Sequence, residues 1–403
     1  MKRPTINLYL QLHQPYRVKR YTIFDVAHDH LYFNDEGESD LNNARIFQKV
    51  AEKSYRPMLT LLERLLEDEP EFRFSLSLSG VVVEQAQLWA PDIIDTLRRI
   101  IATNRVEILA ETYHHSLAFF YSRAEFEAQV ELHREKINTV FGVVPTVFRN
   151  TELAYNNELA QWASEHNYQA ILAEGWDDVL GWRSPNHVYQ TDTSRPIPLL
   201  LKNYKLSDDL AFRFGDKKWA GWPLKPDTYA KWQTESDESA TIVNLFMDFE
   251  TFGEHQWADT GIFTFFGQFV SQWLHQYGDF NTISGTLAQH TPVDVVSMPH
   301  TVTWADTERD LSAWNGNALQ REAARYVYAL EHEVLNTHDH DLIEDWRKLL
   351  TSDHVYYMAT KWHADGDIHS YFSPYDSPYD AFLSYMNAIR DVRWRIMQHR
   401  RAL

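Results

Sequence analysis

Short apolar runs recur along this chain at intervals filled by longer stretches with helical spacing, and that alternation constrains the fold more than any other feature. The runs are Ile6 to Leu12, Phe72 to Leu78, Val106 to Ala110, Thr146 to Asn150, Gln169 to Ala173, Pro198 to Leu201, Ile242 to Met247 and Val293 to Ser297. Between several of them lie the amphipathic stretches Pro57 to Leu66, Val81 to Ile101, Arg123 to Phe141 and Gly261 to Tyr277. Parallel strands need a crossover from one end of the sheet to the other, and a helix supplies it, so the pattern predicts a parallel β/α sheet or barrel. Beyond about Asn315 the chain changes character, with helical segments Leu319 to Leu335, Leu342 to Thr360 and Tyr379 to Leu403. The division expected is a barrel over 1–305 and a C-terminal helical region over 306–403 packed on it.

Parallel strands place the residues that follow them on one rim. His13 follows the first run, Glu111 with His114 and His115 the third, Glu152 the fourth, Glu174 the fifth, and Asp248 with Glu250 the run from Ile242. One acidic residue after a strand is commonly a helix cap or a solvated loop residue. Several at the same end of one sheet converge on a cleft. The densest segment is Met247-Asp248-Phe249-Glu250-Thr251-Phe252-Gly253-Glu254-His255, directly behind an apolar strand.

Charge and cysteine content remove several function classes. With 38 Lys+Arg against 57 Asp+Glu the net charge is -19, which repels phosphate backbones and anionic lipid, so neither nucleic acid nor a membrane is an expected partner. The absence of cysteine excludes disulfides, thiolate catalysis and Cys-ligated zinc or iron–sulfur centres. The apolar start of the chain alternates with polar residues and breaks at His13-Gln14-Pro15, unlike a signal sequence, and the cytoplasm is the expected compartment. A cleft with several carboxylates and no cysteine suits glycoside chemistry, which needs one acid to protonate the leaving oxygen and one carboxylate facing the anomeric carbon. The 14 Trp and 21 Tyr fit that reading, because sugar C–H faces stack on such rings, although core packing also accounts for many of them.

Four blocks in order resemble the signature regions of glycoside hydrolase family 57, in particular its α-amylase branch. They are Leu12-His13-Gln14-Pro15; Val106-Glu107-Ile108-Leu109 leading to Tyr113-His114-His115-Ser116; Phe148-Arg149-Asn150-Thr151-Glu152-Leu153; and Met247 to His255. The resemblance spans residues 1 to about 320, and Asp345 to Leu350 with Ser352-Asp353-His354 extends it. It implies a distorted (β/α)7 barrel followed by a C-terminal α-helical region, acting on α-glucans or maltooligosaccharides by a retaining mechanism with no metal and no cofactor. Carried over by position, Glu152 is the nucleophile and Asp248 the general acid/base, with the charge of Glu152 and burial against Phe249 and Phe252 keeping Asp248 protonated. His13, Glu107, His115, Glu250, His255 and Trp314 are implied substrate contacts, with Asp310 and Trp304 as weaker candidates. Glu107 also lies inside a strand, where it could equally belong to a buried network. Trp314 would bring the helical region into the site.

Two loops are expected to tune specificity: Tyr21 to Asn43, with Tyr32 and Phe33 overlooking the rim, and Trp176 to Trp182 with Asp177 and Asp178. Alternatives to an α-1,4-glucan hydrolase are a 4-α-glucanotransferase using the same carboxylates, a metal-dependent hydrolase built on His13, His114, His115, His255 and Asp248, and a non-catalytic α-glucan binder.

Overall fold

A computed structural model describes residues 4–37, 39–235, 237–361 and 373–402. Its strands are β1 (Thr5–Leu12), β2 (Phe74–Leu78), β3 (Val106–Ile108), β4 (Val147–Phe148), β5 (Ala170–Glu174), β6 (Val188–Thr191), β7 (Pro198–Lys202), β8 (Ile242–Asp248), β9 (Asp279–Phe280) and β10 (Val295–Val296). Strands β3, β2, β1 and β8 pair in parallel in one sheet, and β4, β5 and β7 in another. Two seams join them. Ala110 bridges Phe148 in parallel just beyond β3, and Asn203 donates its N–H to the Asn244 carbonyl at 2.9 Å where β7 meets β8. The circuit β1-β2-β3-β4-β5-β7-β8 therefore closes, giving seven parallel barrel strands among the described residues. This is the distorted (β/α)7 barrel expected from the sequence. The run Val293 to Ser297 forms only the short β10, which pairs outside the circuit with β6, itself antiparallel to β7.

Alternation along the strands sorts the barrel interior into layers. At the N-terminal end Asn7 donates to Asn244 at 2.7 Å, and Ser75 and Glu107 bond to each other at 3.2 Å. The helix Ile283–Leu287 closes this end: the Ser284 N–H meets Glu107 at 3.1 Å, and the Thr286 hydroxyl donates to Asn7. Two residues further along each strand the filling is mostly apolar, with Tyr9, Leu109, Val147, Leu172, Leu200 and Phe246 in one buried cluster. Two further still stand Gln11, Glu111, Arg149, Glu174, Lys202 and Asp248, a polar layer at the C-terminal rim. Position in the sequence thus sets height in the barrel.

The outer helices begin where local chemistry dictates. Ser79 caps Gly80–Trp89 by accepting from the Val82 N–H, and Asn156 caps Asn157–Glu165 through Leu159. The amphipathic stretch Val81 to Ile101 holds parts of two helices. Pro91 disfavours helical geometry at Ala90, which sits at φ -150° and ψ 65°, and Pro91 then starts the helix Pro91–Ile101.

Compact units follow a finer division than one cut in the chain. The barrel unit is Met1–His13, Gln48–Glu111 and His133–Trp304; the second unit joins Gln14–Phe47 and Thr112–Leu132 to Ala305–Leu403. In the second unit the helices Ala318–Tyr328, His340–Leu349 and Pro378–Ala402 enclose a core that includes Trp346, Leu349, Ile389 and Val392. Tyr21 and Tyr32 belong to that core and Phe33 packs against it, which corrects the expectation that Tyr32 and Phe33 are rim platforms. Buried Asp391 holds them there, accepting from the Tyr32 hydroxyl, the Ala27 N–H at 2.6 Å and His30 Nδ1 at 2.7 Å.

Candidate active site

The rim of the barrel is organised by a buried cation. Arg149 follows β4 and its guanidinium is fully buried; it donates to the Gln11 side chain and lies 3.4 Å from the Glu111 carboxylate, which is buried as completely. Two ions removed from water together are tolerated because each supplies the other's missing solvation. Across the rim, Lys202 at the end of β7 is 3.1 Å from Asp208 and 3.8 Å from Glu174.

Glu152 stands on the turn Thr151–Leu153 that follows β4, with φ 60° and ψ 22°, and Leu153 after it has φ 50°. Left-handed geometry at a non-glycine residue costs on the order of 1–3 kcal/mol and persists only where surrounding contacts enforce it. Here the Leu153 N–H donates to the Asn150 carbonyl at 3.0 Å and the Asn150 side chain to the Ala154 carbonyl at 2.9 Å. The turn lifts the half-buried Glu152 carboxylate to the indole of Trp304, whose Nε1–H donates to Glu152 Oε2 at 2.7 Å.

Asp248 ends β8 in register with Gln11 of β1. The chain then turns through Phe249–Thr251, and the buried Glu250 accepts from the Tyr55 hydroxyl and from the backbone N–H of His13. Burial, reinforced by the charge of Asp248, pushes the Glu250 carboxyl up to about 8, so near neutrality the Asp248/Glu250 pair carries a proton. Gly253 is required in this loop: φ is 107°, and a Cβ there would lie 1.9 Å from the Lys53 carbonyl oxygen.

Two carboxylates on opposite strands of one barrel rim are the equipment of glycoside cleavage. The sequence profile of Glycosyl hydrolase family 57 matches residues 7–299, well over half the chain. The chain belongs to glycosyl hydrolase family 57. As a member it is a glycoside hydrolase enzyme. This family 57 chain is 36% identical over 405 residues to a Methanocaldococcus jannaschii protein named "Putative alpha-amylase", covering 98% of this chain and 85% of that one. Among solved structures, a GH57-type branching enzyme from Pyrococcus horikoshii superposes with a TM-score of 0.68 at 14% identity, covering 99% of this chain and 88% of the other. The 4-alpha-glucanotransferase from Thermococcus litoralis gives 0.66 at 16% identity over 94% of this chain, which spans 60% of that enzyme. At such identities the two structures share the fold.

Of the residues singled out in the family 57 sequence, the barrel unit brings Glu152, Asp248, Glu250 and His13 to its C-terminal end. His13 is fixed by Nδ1 at 2.8 Å from the hydroxyl of Ser79. His255 is on the loop after β8, its N–H bonded to the Glu250 carbonyl at 2.9 Å, and burial pulls its imidazole down to about 4, so it is neutral at pH 7. Glu107 is not at the rim. It precedes Glu111 by four residues, ~13 Å along a strand, and its partners are Ser75 and Ser284. Of its two readings, the buried network describes it, and it leaves the set of sugar contacts. His115 and Trp314 belong to the second unit. His115 adopts φ 51°, and its carbonyl accepts from the Ser352 N–H at 2.9 Å. Trp314, in the helix Ser312–Asn315, is buried 5.9 Å from the Tyr356 ring centroid, and its indole N–H has no partner among the described residues. In the other loop proposed for specificity, Trp182 is 93% exposed.

Sequence reasoning underrated Trp304 and gave no role to Arg149, Gln11 or Lys202. Arg149 carried a signal: a lone cation two residues beyond the inward-facing Val147 has to be paired inside the barrel.

Proposed function

We propose that this enzyme cleaves α-1,4-glucans with retention of configuration, with Glu152 as nucleophile and Asp248 as general acid/base. The observation that carries the reading is the Glu152 turn: a strained backbone after β4 presents a carboxylate already held by an indole N–H, on the same rim as Asp248. The α-glucan substrate is supported by the names of the relatives, an α-amylase, a branching enzyme and a 4-α-glucanotransferase.

In the first step Asp248 gives its proton to the glycosidic oxygen while Glu152 attacks the anomeric carbon from the opposite face, so the C–O bond to the leaving sugar breaks and a glycosyl ester forms. Water then enters, Asp248 takes its proton, and hydroxide attack on the anomeric carbon releases Glu152. Such chemistry needs the two carboxyl groups ~5–5.5 Å apart. The acid must hold its proton at rest. The neutral His255, with His13 from the sequence motifs, suits hydrogen bonding to sugar hydroxyls, and His115 and Trp314 are kept as sugar contacts on the sequence motifs alone.

Incubation of the enzyme with maltoheptaose tests the reading. Products shorter than the substrate, lost in Glu152→Gln and Asp248→Asn and unaffected by chelators, are expected. A ladder of longer oligosaccharides would assign transfer instead, and binding without turnover by the wild type would reduce the protein to a glucan binder.

A further inference from the structure

We propose that Trp304 is the positioning residue of Glu152: its indole N–H fixes one carboxylate oxygen so that the other faces the anomeric carbon, and Arg149 and Lys202 hold the indole for that task. The proposal rests on the reading of Glu152 as nucleophile.

Three observations converge on Trp304. Its side chain donates to Glu152 Oε2 at 2.7 Å, and its backbone N–H meets the Glu152 carbonyl at 3.2 Å, so main chain and side chain of the same two residues are tied together. The antiparallel bridge between Tyr155 and Val302 holds the two segments side by side. The Arg149 guanidinium carbon and the Lys202 ammonium each lie 5.3 Å from the Trp304 ring centroid.

Neither cation is loose. Arg149 is anchored by Glu111 and Gln11, and Lys202 by Asp208 and Glu174. A cation over an indole is held by the ring quadrupole and draws electron density from the ring, which makes the N–H a stronger donor. The barrel therefore delivers positive charge to Glu152 through an aromatic relay, while Asp248 ends β8 and Glu250 lies in the turn after it. A donor bonded to the ionised carboxylate favours the charged, attacking form and removes rotational freedom that would otherwise be lost in the transition state.

A purely structural Trp304, filling space against the buried barrel cluster, would be replaced by another ring without kinetic consequence. Trp304→Phe keeps an aromatic ring under both cations and loses the N–H; replacement of Trp304 by benzothienylalanine keeps the indole shape and loses only the N–H, which covers the case in which the phenyl variant folds poorly. The expected result is a kcat lower by about 10–100-fold with KM within about threefold, and an acidic limb of the kcat/KM profile moved up by about one pH unit. A raised KM with unchanged kcat would make Trp304 a sugar platform and overturn the proposal, as would an unmoved acidic limb. Trapping wild-type enzyme with a slowly hydrolysed fluorinated α-glycosyl fluoride and mapping the labelled peptide separates the two levels of inference. Label on Glu152 with unaltered Trp304 variants sinks the positioning role alone, whereas label on another residue sinks the nucleophile reading and the proposal with it.

Discussion

Replacing Arg149 by Met should reveal how much the rim depends on its buried ion pair. Arg149 and Glu111 are both inaccessible to solvent and 3.4 Å apart, and at an effective dielectric of ~20 two unit charges at that distance attract by about 5 kcal/mol. Met keeps an unbranched apolar stem and lacks the charged head, so Arg149→Met leaves the Glu111 carboxylate in a low-dielectric site without its guanidinium, a loss of about 3–5 kcal/mol. The pH dependence carries the diagnosis. Without its cation, Glu111 acquires a folded-state pKa above its unfolded value of ~4.3. The folded variant then binds a proton that the unfolded chain has released, and stability falls as pH rises through that interval. The deficit relative to wild type should be small near pH 4 and complete near pH 7. Urea unfolding of wild type, Arg149→Met, Glu111→Gln and the double variant across that range measures it, and the double variant should recover most of the loss at pH 7. A deficit that is the same at pH 4 and pH 7, or a double variant no better than Arg149→Met, would refute the reasoning.

Glu107 should matter for folding and little for turnover: Glu107→Gln is expected to change kcat/KM by less than about threefold while lowering the unfolding midpoint, since its carboxylate accepts from both Ser284 and Ser75. A large loss of kcat/KM with intact stability would return it to the substrate site. Glu250, raised by burial to about 8, keeps its proton in the folded state over a range where the unfolded chain has lost it; wild-type stability should therefore decline between about pH 4.5 and pH 8, and Glu250→Gln should flatten that slope in urea titrations.

The strand-and-helix alternation announced the barrel because each β/α repeat carries its own local signal. The rim carboxylates were legible for the same reason, since Asp248 directly ends an apolar run and Glu152 stands four residues beyond Phe148. Height within the barrel was harder to read. A period of two tells which face a side chain takes but not which layer it joins, and Glu107 in the lowest layer looks in sequence much like Glu111 in the highest. Trp304 lies in an irregular segment after β10, where no periodicity marks it, and long-range pairing such as the bridge between Tyr155 and Val302 brings it to Glu152. Tyr32 and Phe33 failed differently: a long connection after a strand was read as a rim loop, whereas the buried Asp391 of a distant helix draws it into the core of the second unit.

The assignment of Glu152 as nucleophile is tested most directly by chemical rescue. With α-maltosyl fluoride, whose leaving group needs no acid, Glu152→Gly should be nearly inactive until azide is added. Azide occupying the place of the lost carboxylate attacks from the face opposite the fluoride, so the two-carboxylate mechanism predicts a β-glycosyl azide by NMR. Formation of the α-azide, or no rescue from a folded variant, would contradict it.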